Sequence, residues 1–115
     1  MSQPFPEPIQ NLPLADIPLA GVTAYLSQGR DHQILFMHFN ESVELGEHAH
    51  DAQWGLVIEG SITMTIDTVT KTYTKGERYF IPAGVKHSAI IHAGYADMTF
   101  FSDPDRYAVK ETGEE

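Results

Sequence analysis

The sequence predicts an all-β domain, a sandwich or barrel built from short strands. From Gly21 onward, apolar and polar residues alternate with a period close to two, which is typical of half-buried strands. Turn signals separate these segments at intervals of roughly 8–12 residues. No long stretch has a helical apolar stripe between helix start and stop signals. A chain of 115 residues fits one such domain with a single core.

The N-terminal segment, residues 1–20, precedes the strands and is rich in proline. Five of the seven prolines fall between Pro4 and Pro18. Because proline fixes φ and lacks a backbone N–H, this arm is excluded from a central strand or a helix interior. We expect an extended arm that docks on the barrel or on a neighbouring subunit through apolar residues such as Phe5 and Ile9. A flexible tail is the alternative.

The barrel is expected to span residues 21–109, followed by a flexible tail at 110–115. Predicted turns at Ser27–Asp31, Asn40–Ser42 and Lys75–Gly76 punctuate it. The predicted strands, in order, are Val22–Leu26, Gln33–Phe39, Gln53–Gly60, Ser61–Asp67, Val69–Thr74, Tyr79–Ile81, Ser88–His92 and Met98–Phe101.

Composition excludes several classes of function. The chain has 7 basic and 16 acidic residues, for a net charge of −9, which argues against binding to nucleic acids or anionic membranes. No apolar run approaches the length of a membrane span, and no signal peptide is recognisable, so we expect a cytoplasmic protein. The absence of cysteine excludes disulfides and thiolate metal sites, so histidine, carboxylate, amide or water must hold any metal.

Three of the six histidines have the spacing of a metal site. His48 and His50 are two residues apart, and on a strand they would point to the same face. Gln53 begins the next extended segment, with its side chain on the same face as Gly55. His87 follows a tight turn at Pro82–Gly84, after a strand. The pair alone is weak evidence, whereas the pair combined with the turn and the third histidine predicts convergence on a metal.

These residues resemble the two conserved motifs of the cupin superfamily. The matches are His48, His50, Gln53 and Gly60 in the first motif, and Gly76, Pro82, Gly84 and His87 in the second. The departures are Ser42 at the first glycine, Gln53 in place of a carboxylate, and Ile91 in place of the closing asparagine. The resemblance covers about residues 34–101. It implies a double-stranded β-helix, or jelly-roll barrel, with a metal inside its mouth.

By this resemblance the metal ligands are His48, His50, Gln53 and His87. The expected cofactor is one divalent transition metal, and imidazole-rich ligation suits Zn, Ni, Fe, Mn, Co or Cu. Because all four ligands are neutral, they would leave the charge of the ion uncompensated, which favours a small anionic organic ligand. Metal affinity should fall below a pH of about 6.5, where the imidazoles become protonated.

One subfamily is closer in sequence, namely the small cupins that ketonise unsaturated uronates. The segments Gln53–Gly60 and Arg78–Pro82 are similar to theirs. Those proteins also carry an acid and an arginine around a phenylalanine and serine near the C-terminus. This chain has Thr99 at the position of the acid, so Asp97, Asp103 and Arg106 are the candidate catalytic residues.

We therefore expect a metal-dependent enzyme that forms a homodimer and acts on a small oxygen-rich organic acid. An iron-dependent dioxygenase and a non-catalytic cupin that binds a sugar or acid are the alternatives. The remaining histidines, His32, His38 and His92, are expected at the surface or rim. Large apolar residues such as Tyr79 and Phe100 are expected in the barrel core.

Overall fold

The computed structural model describes residues 3–110, which form one short helix and nine strands. Their bounds are α1 Glu7–Gln10, β1 Val22–Gln28, β2 Gln33–Phe39, β3 Val43–His48, β4 Gln53–Glu59, β5 Ser61–Ile66, β6 Val69–Thr74, β7 Arg78–Ile81, β8 His87–Ile91 and β9 Ala96–Phe101. The predicted all-β class is confirmed. In this part of the chain, α1 is far too short to cross a membrane.

The strands form two antiparallel sheets. One sheet has the order β1-β2-β9-β4-β7, and the other has the order β3-β8-β5-β6. The crossover connections that these orders require are those of a jelly roll, as the sequence resemblance implies. Side chains from the inner faces of both sheets form the core, and Leu35, Val57 and Ile81 are among the most deeply buried.

The alternation within β4 orients the residues of interest as predicted. Gln53 and Val57 are buried and point between the sheets, while Trp54 is only half-buried on the outer face. There Trp54 lines a shallow apolar groove with Phe100. Phe100 was expected in the core but is 37% exposed, because it follows the inward-facing Thr99 on β9 and so points outward.

The N-terminal arm is docked on the barrel. Phe5 is buried, and its ring packs edge-to-face on Tyr25 and Phe36 of the larger sheet. The prediction of an entirely extended arm is wrong, because Glu7–Gln10 forms one helical turn. Pro8 is tolerated in this turn because the first N–H groups of a helix have no intrahelical partner.

The two ends of the described chain meet beside the barrel. The backbone N–H of Asp16 donates to the carbonyl of Ala108 at 2.8 Å, and Lys110 donates to Leu14 at 2.7 Å. The strand-like pairing of Ala15 with Val109 lies between these bonds. The predicted flexible tail at 110–115 lies outside the described residues except for Lys110.

The three remaining histidines have different environments. His92 is exposed as expected, and its Nε2 lies 3.2 Å from the hydroxyl of Thr63. His32 is half-buried, stacked on Phe100 at 5.0 Å between ring centroids. The surface prediction for His38 is wrong, since this residue is only 9% exposed. Its β9 partner Ala96 packs in the cluster around Phe5, so the docked arm covers this part of the outer face.

Candidate metal centre

The three histidines of the two motifs converge at one end of the barrel. His48 is the last residue of β3 and His87 the first of β8, and these two residues are paired across the smaller sheet. A β-bulge between Leu45 and His48 interrupts the regular pairing just before the site. One ring nitrogen from each of His48, His50 and His87 lies within 4.8 Å of the others.

The prediction that His48 and His50 share a strand is wrong, because β3 ends at His48 and His50 lies in the following loop. Backbone contacts hold this loop in place instead. The N–H of Gly84 donates to the carbonyl of His50 at 2.9 Å. Gly84 has φ +80°, a conformation that favours glycine, and it belongs to the predicted turn that precedes His87. The turn of the second motif thus supports the loop of the first.

Backbone carbonyls determine which nitrogen of each imidazole carries the proton. Nδ1 lies 2.7 Å from the carbonyl of Gly46 in His48, 2.7 Å from that of Asp51 in His50, and 3.0 Å from that of Val85 in His87. Because a carbonyl oxygen can only accept, each Nδ1 must be the donor. In the neutral rings, all three Nε2 atoms therefore have free lone pairs, the arrangement usual for histidines that bind a metal.

The separation of these nitrogens tests whether a metal fits. Nε2 of His50 lies 3.1 Å from Nε2 of His87. Two lone pairs at this distance repel each other unless a proton carried by one ring or a metal ion lies between them. Two nitrogens that each bind one ion at about 2.1 Å can be at most about 4.2 Å apart, so the separation of 3.1 Å allows both to bind the same ion. The residues present therefore fit a divalent transition metal.

The environment of two of these rings, His50 and His87, favours their neutral form. Burial is the largest cause that lowers the pKa of His50 and of His87, and the positive charge of Arg106 lowers both further. The backbone hydrogen bonds at Nδ1 act in the opposite direction but do not cancel the shift. Neutral imidazole is the form that binds metals, so the site is prepared for a metal near neutral pH.

Gln53, the predicted fourth ligand, lines the same cavity as the three histidines. Its Nε2 donates a long hydrogen bond of 3.4 Å to the hydroxyl of Tyr79. With the amide nitrogen turned toward Tyr79, the carbonyl oxygen is the atom left for a metal. The ring of Tyr79 lies across Gly55, where any Cβ would overlap it. The glycine of the Gln53-x-Gly55 pattern is thus explained by the close approach of Tyr79.

Asp97 lies deeper in the same cavity wall. It is 1% exposed, and its Oδ2 accepts hydrogen bonds from the hydroxyls of Tyr95 at 2.6 Å and Tyr79 at 3.5 Å. Its Oδ1 is buried without a hydrogen-bond partner in residues 3–110. Burial raises the pKa of Asp97 to about 6, although hydrogen bonds from Tyr95 and Tyr79 lower it somewhat. Burial likewise raises the pKa of both tyrosines, which therefore stay protonated.

The other two candidate catalytic residues have different positions. Arg106 lines the cavity, with its guanidinium carbon 5.7 Å from the ring centre of Phe101 and 5.0 Å from that of Tyr107. Its Nε is buried and has no partner within the described chain. Asp103 is not among the residues lining the cavity, and its carboxylate accepts the backbone N–H of Asp105 at 2.8 Å in a local turn.

Gln33 is a supporting residue that the sequence reasoning did not identify. Its side chain is buried, and it exchanges two hydrogen bonds with the backbone of Tyr107, at 2.8 and 3.0 Å. These bonds hold the C-terminal segment that carries Arg106 against β2. A glutamine on the same face as Leu35 and Met37 was the available signal, because a buried amide must be hydrogen-bonded.

The cavity combines a polar mouth with a largely apolar interior. It has a volume of about 180 Å³, and its polar lining includes the three histidines, Gln53, Asp97 and Arg106. The acidic residues around the first motif, which are Glu41, Glu44, Glu47 and Asp51, are all exposed. The negative net charge is therefore carried outside a cavity whose mouth is neutral to positive.

Comparison with known proteins identifies the type of domain. A family model described as a cupin domain, Cupin_2, matches residues 35–102. An RmlC-like cupin from Shewanella frigidimarina has a similar structure, with a TM-score of 0.72 and 27% identity over 84% of this chain and 87% of that one. A search of curated proteins finds no match to the sequence.

Two further structures share the fold at lower identity. KdgF from Halomonas sp. has a TM-score of 0.67 and 16% identity, covering 79% of this chain and 87% of its own. A variant of oxalate decarboxylase from Bacillus subtilis has a TM-score of 0.69 and 19% identity, covering 84% of this chain and 28% of its own. At these identities the likeness concerns the fold alone.

Proposed function

The chain belongs to the Cupin_2 family of cupin domains, and from this membership we propose that it is a metal-dependent enzyme acting on a small organic acid. One observation carries the proposal: three imidazole Nε2 lone pairs face each other at the mouth of a largely apolar cavity. Without a metal, Nε2 of His50 and Nε2 of His87 would need a proton between them, and the burial of both rings disfavours that protonated form.

The residues that would hold the metal are His48, His50 and His87, with Gln53 as the fourth ligand. Zn, Ni, Fe, Mn, Co and Cu all suit this set of donors. When bound, such an ion supplies a Lewis acid that attracts and polarises the oxygens of an anion. Because none of the protein ligands carries negative charge, the site favours a carboxylate as the remaining ligand.

Arg106 is the residue that would orient the acid. It lies at the cavity beside the histidines, and its buried Nε has no other partner in the described residues. Packing against the rings of Phe101 and Tyr107 restricts its guanidinium. A guanidinium held in this way can donate two parallel hydrogen bonds to one carboxylate, which gives both affinity and a defined orientation.

Asp97 is the group that would move protons. With a pKa of about 6, it can both hold and release a proton near neutral pH, as a general acid or base must. The reaction class that suits it is an isomerisation such as ketonisation. In this reaction an enol loses the proton of its O–H bond and a C–H bond forms at the neighbouring carbon, so no oxidant or reductant is needed.

The specific reaction proposed from the sequence motifs is ketonisation of an unsaturated uronate or a related sugar acid. Enzyme loaded with zinc, or in parallel with nickel, should accelerate the loss of ultraviolet absorbance from such a uronate. Asp97→Asn should slow this loss by about 10²–10⁴-fold, the usual contribution of a general acid or base. Absence of acceleration over buffer, with metal content verified, would exclude this reaction.

Two further measurements distinguish the alternative functions. Consumption of oxygen coupled to loss of the acid, measured with iron-loaded protein, would indicate a dioxygenase. Saturable binding of an acid with no turnover under any metal would indicate a binding protein. Arg106→Gln provides a specific check, because it should weaken binding of the acid about tenfold or more while metal content stays unchanged.

Two broader expectations from the sequence stay part of this proposal. We expect a cytoplasmic homodimer. The dimer is favoured by apolar side chains on the outer face of the larger sheet, where Phe80 is 56% exposed and Phe100 37% exposed.

A further inference from the structure

Beyond the metal centre, the interior wall of the cavity is apolar. Side chains from the arm and from both sheets reach it, among them Leu19, Met37, Phe39, Ile62, Met64 and Ile91. None of these side chains can replace the hydrogen bonds that a hydroxyl group makes with water. Each hydroxyl buried against them would therefore weaken binding about 5- to 100-fold.

The few polar side chains in the interior are already hydrogen-bonded to one another. The amide nitrogen of Gln53 donates to the hydroxyl of Tyr79, and this hydroxyl donates to Oδ2 of Asp97. Oδ1 of Asp97 is the buried carboxyl oxygen that keeps no partner in residues 3–110. Away from the mouth, the cavity can thus satisfy about one polar group of a ligand, whereas a sugar acid brings several.

The size of the cavity sets a second limit. An engineered apolar cavity of about 150 Å³ holds benzene, which has six non-hydrogen atoms. By the same measure a cavity of about 180 Å³ encloses roughly seven such atoms. A hexuronate has about twelve and would have to leave much of its ring outside.

From these two limits we infer that the substrate is a carboxylate with a short, mostly apolar chain of about four to six carbon atoms. The inference rests on the proposed metal-dependent function, keeps its small organic acid, and replaces the unsaturated uronate suggested by the motifs with a shorter, less polar acid. The carboxylate lies at the mouth, between the histidines and Arg106. The chain extends inward between Met37 and Met64, and one polar atom of the ligand can reach Asp97.

The test measures binding of two series of probes to zinc-loaded protein by titration calorimetry. One series consists of straight-chain carboxylates from acetate to octanoate, and the other of galacturonate and an unsaturated uronate. Each added methylene should lower Kd about fourfold until the cavity is full, at about six carbons, after which Kd should level off. The uronates should bind no more tightly than acetate.

Two variants locate the chain in the cavity. Ala89 lines the wall, and Ala89→Leu should move the optimum to a shorter chain by filling part of the space. Met64→Ala, at the position paired with Ala89 on the neighbouring strand, removes side-chain volume and should move the optimum to a longer chain. Circular dichroism shows whether each variant is folded. A shift of the optimum in one folded variant is sufficient to place the chain in this cavity.

The possible results distinguish this inference from the function on which it rests. Carboxylates that bind with the same Kd at every chain length, or uronates that bind more tightly than hexanoate, would overturn the inference while leaving the metal site intact. Zinc-loaded protein that binds neither series would overturn both the inference and the proposed function. An optimum that neither variant shifts would place the chain elsewhere and overturn the inference.

Discussion

The substitution Asp97→Asn removes a buried carboxyl group while nearly preserving its shape. Burial raises the pKa of Asp97 from the ordinary value of 3.8 to about 6. The folded protein therefore holds this proton more tightly than the unfolded chain does. The stabilising contribution is fully present below pH 3.8 and is lost as the pH rises through about 6.

The magnitude follows from the size of the shift. A difference of about two pKa units, at about 1.4 kcal/mol for each unit, corresponds to roughly 3 kcal/mol. Asparagine does not titrate, so the variant lacks this loss. Relative to the wild type, Asp97→Asn should gain about 3 kcal/mol of unfolding free energy between pH 4 and pH 7, and then remain level.

The assay is urea denaturation of metal-free protein across this pH range, followed by circular dichroism. Taking the difference between variant and wild type cancels the titration of the histidines, which both proteins share. Asp103→Asn makes the same chemical change in a turn outside the cavity and is the matched control. A difference for Asp97→Asn that is independent of pH would refute the assignment of a raised pKa to this carboxyl.

Three further predictions concern the supports of the site and its outer face. Gly55→Ala should lower the free energy of unfolding by about 1–3 kcal/mol in urea denaturation and weaken zinc binding, because a Cβ there overlaps Tyr79. Wild-type values for both quantities would contradict the contact. Gln33→Ala should lower the free energy of unfolding by about 2–3 kcal/mol, because two buried hydrogen bonds are lost. It should also make the segment after Tyr107 sensitive to limited proteolysis. Unchanged proteolysis would show that other contacts hold this segment. Phe80→Lys should shift the sedimentation coefficient from dimer to monomer, and a wild-type chain that sediments as a monomer would disprove the expected homodimer.

The features that depend on local alternation were predictable from the sequence. The strands at Gln33–Phe39 and Val69–Thr74 have the predicted bounds, because hydrophobic period and turn residues determine them locally. The orientation of Gln53 and Trp54 followed from the same alternation. The grouping of the histidines was also predictable, since the turn at Pro82–Gly84 and the His-x-His pattern are local signals.

Features that depend on contacts between distant segments were not predictable. His38 is buried because the arm covers its sheet face, which no local pattern reports. His50 belongs to a loop that is held by Gly84, a residue 34 positions away. The burial of Asp97 beneath Tyr79 and Tyr95 likewise depends on how the strands assemble. Alternation places Asp97 and Thr99 on one face but does not give the depth of either residue.

The metal content of the purified protein tests the central claim most directly. Elemental analysis of protein purified without chelators should find about one divalent transition metal ion per chain in the wild type and in His92→Ala, whose histidine is exposed outside the site. His48→Ala and His87→Ala should each retain almost none. Unchanged metal content in both of these variants, or a wild-type protein that remains metal-free after incubation with zinc, would contradict the account.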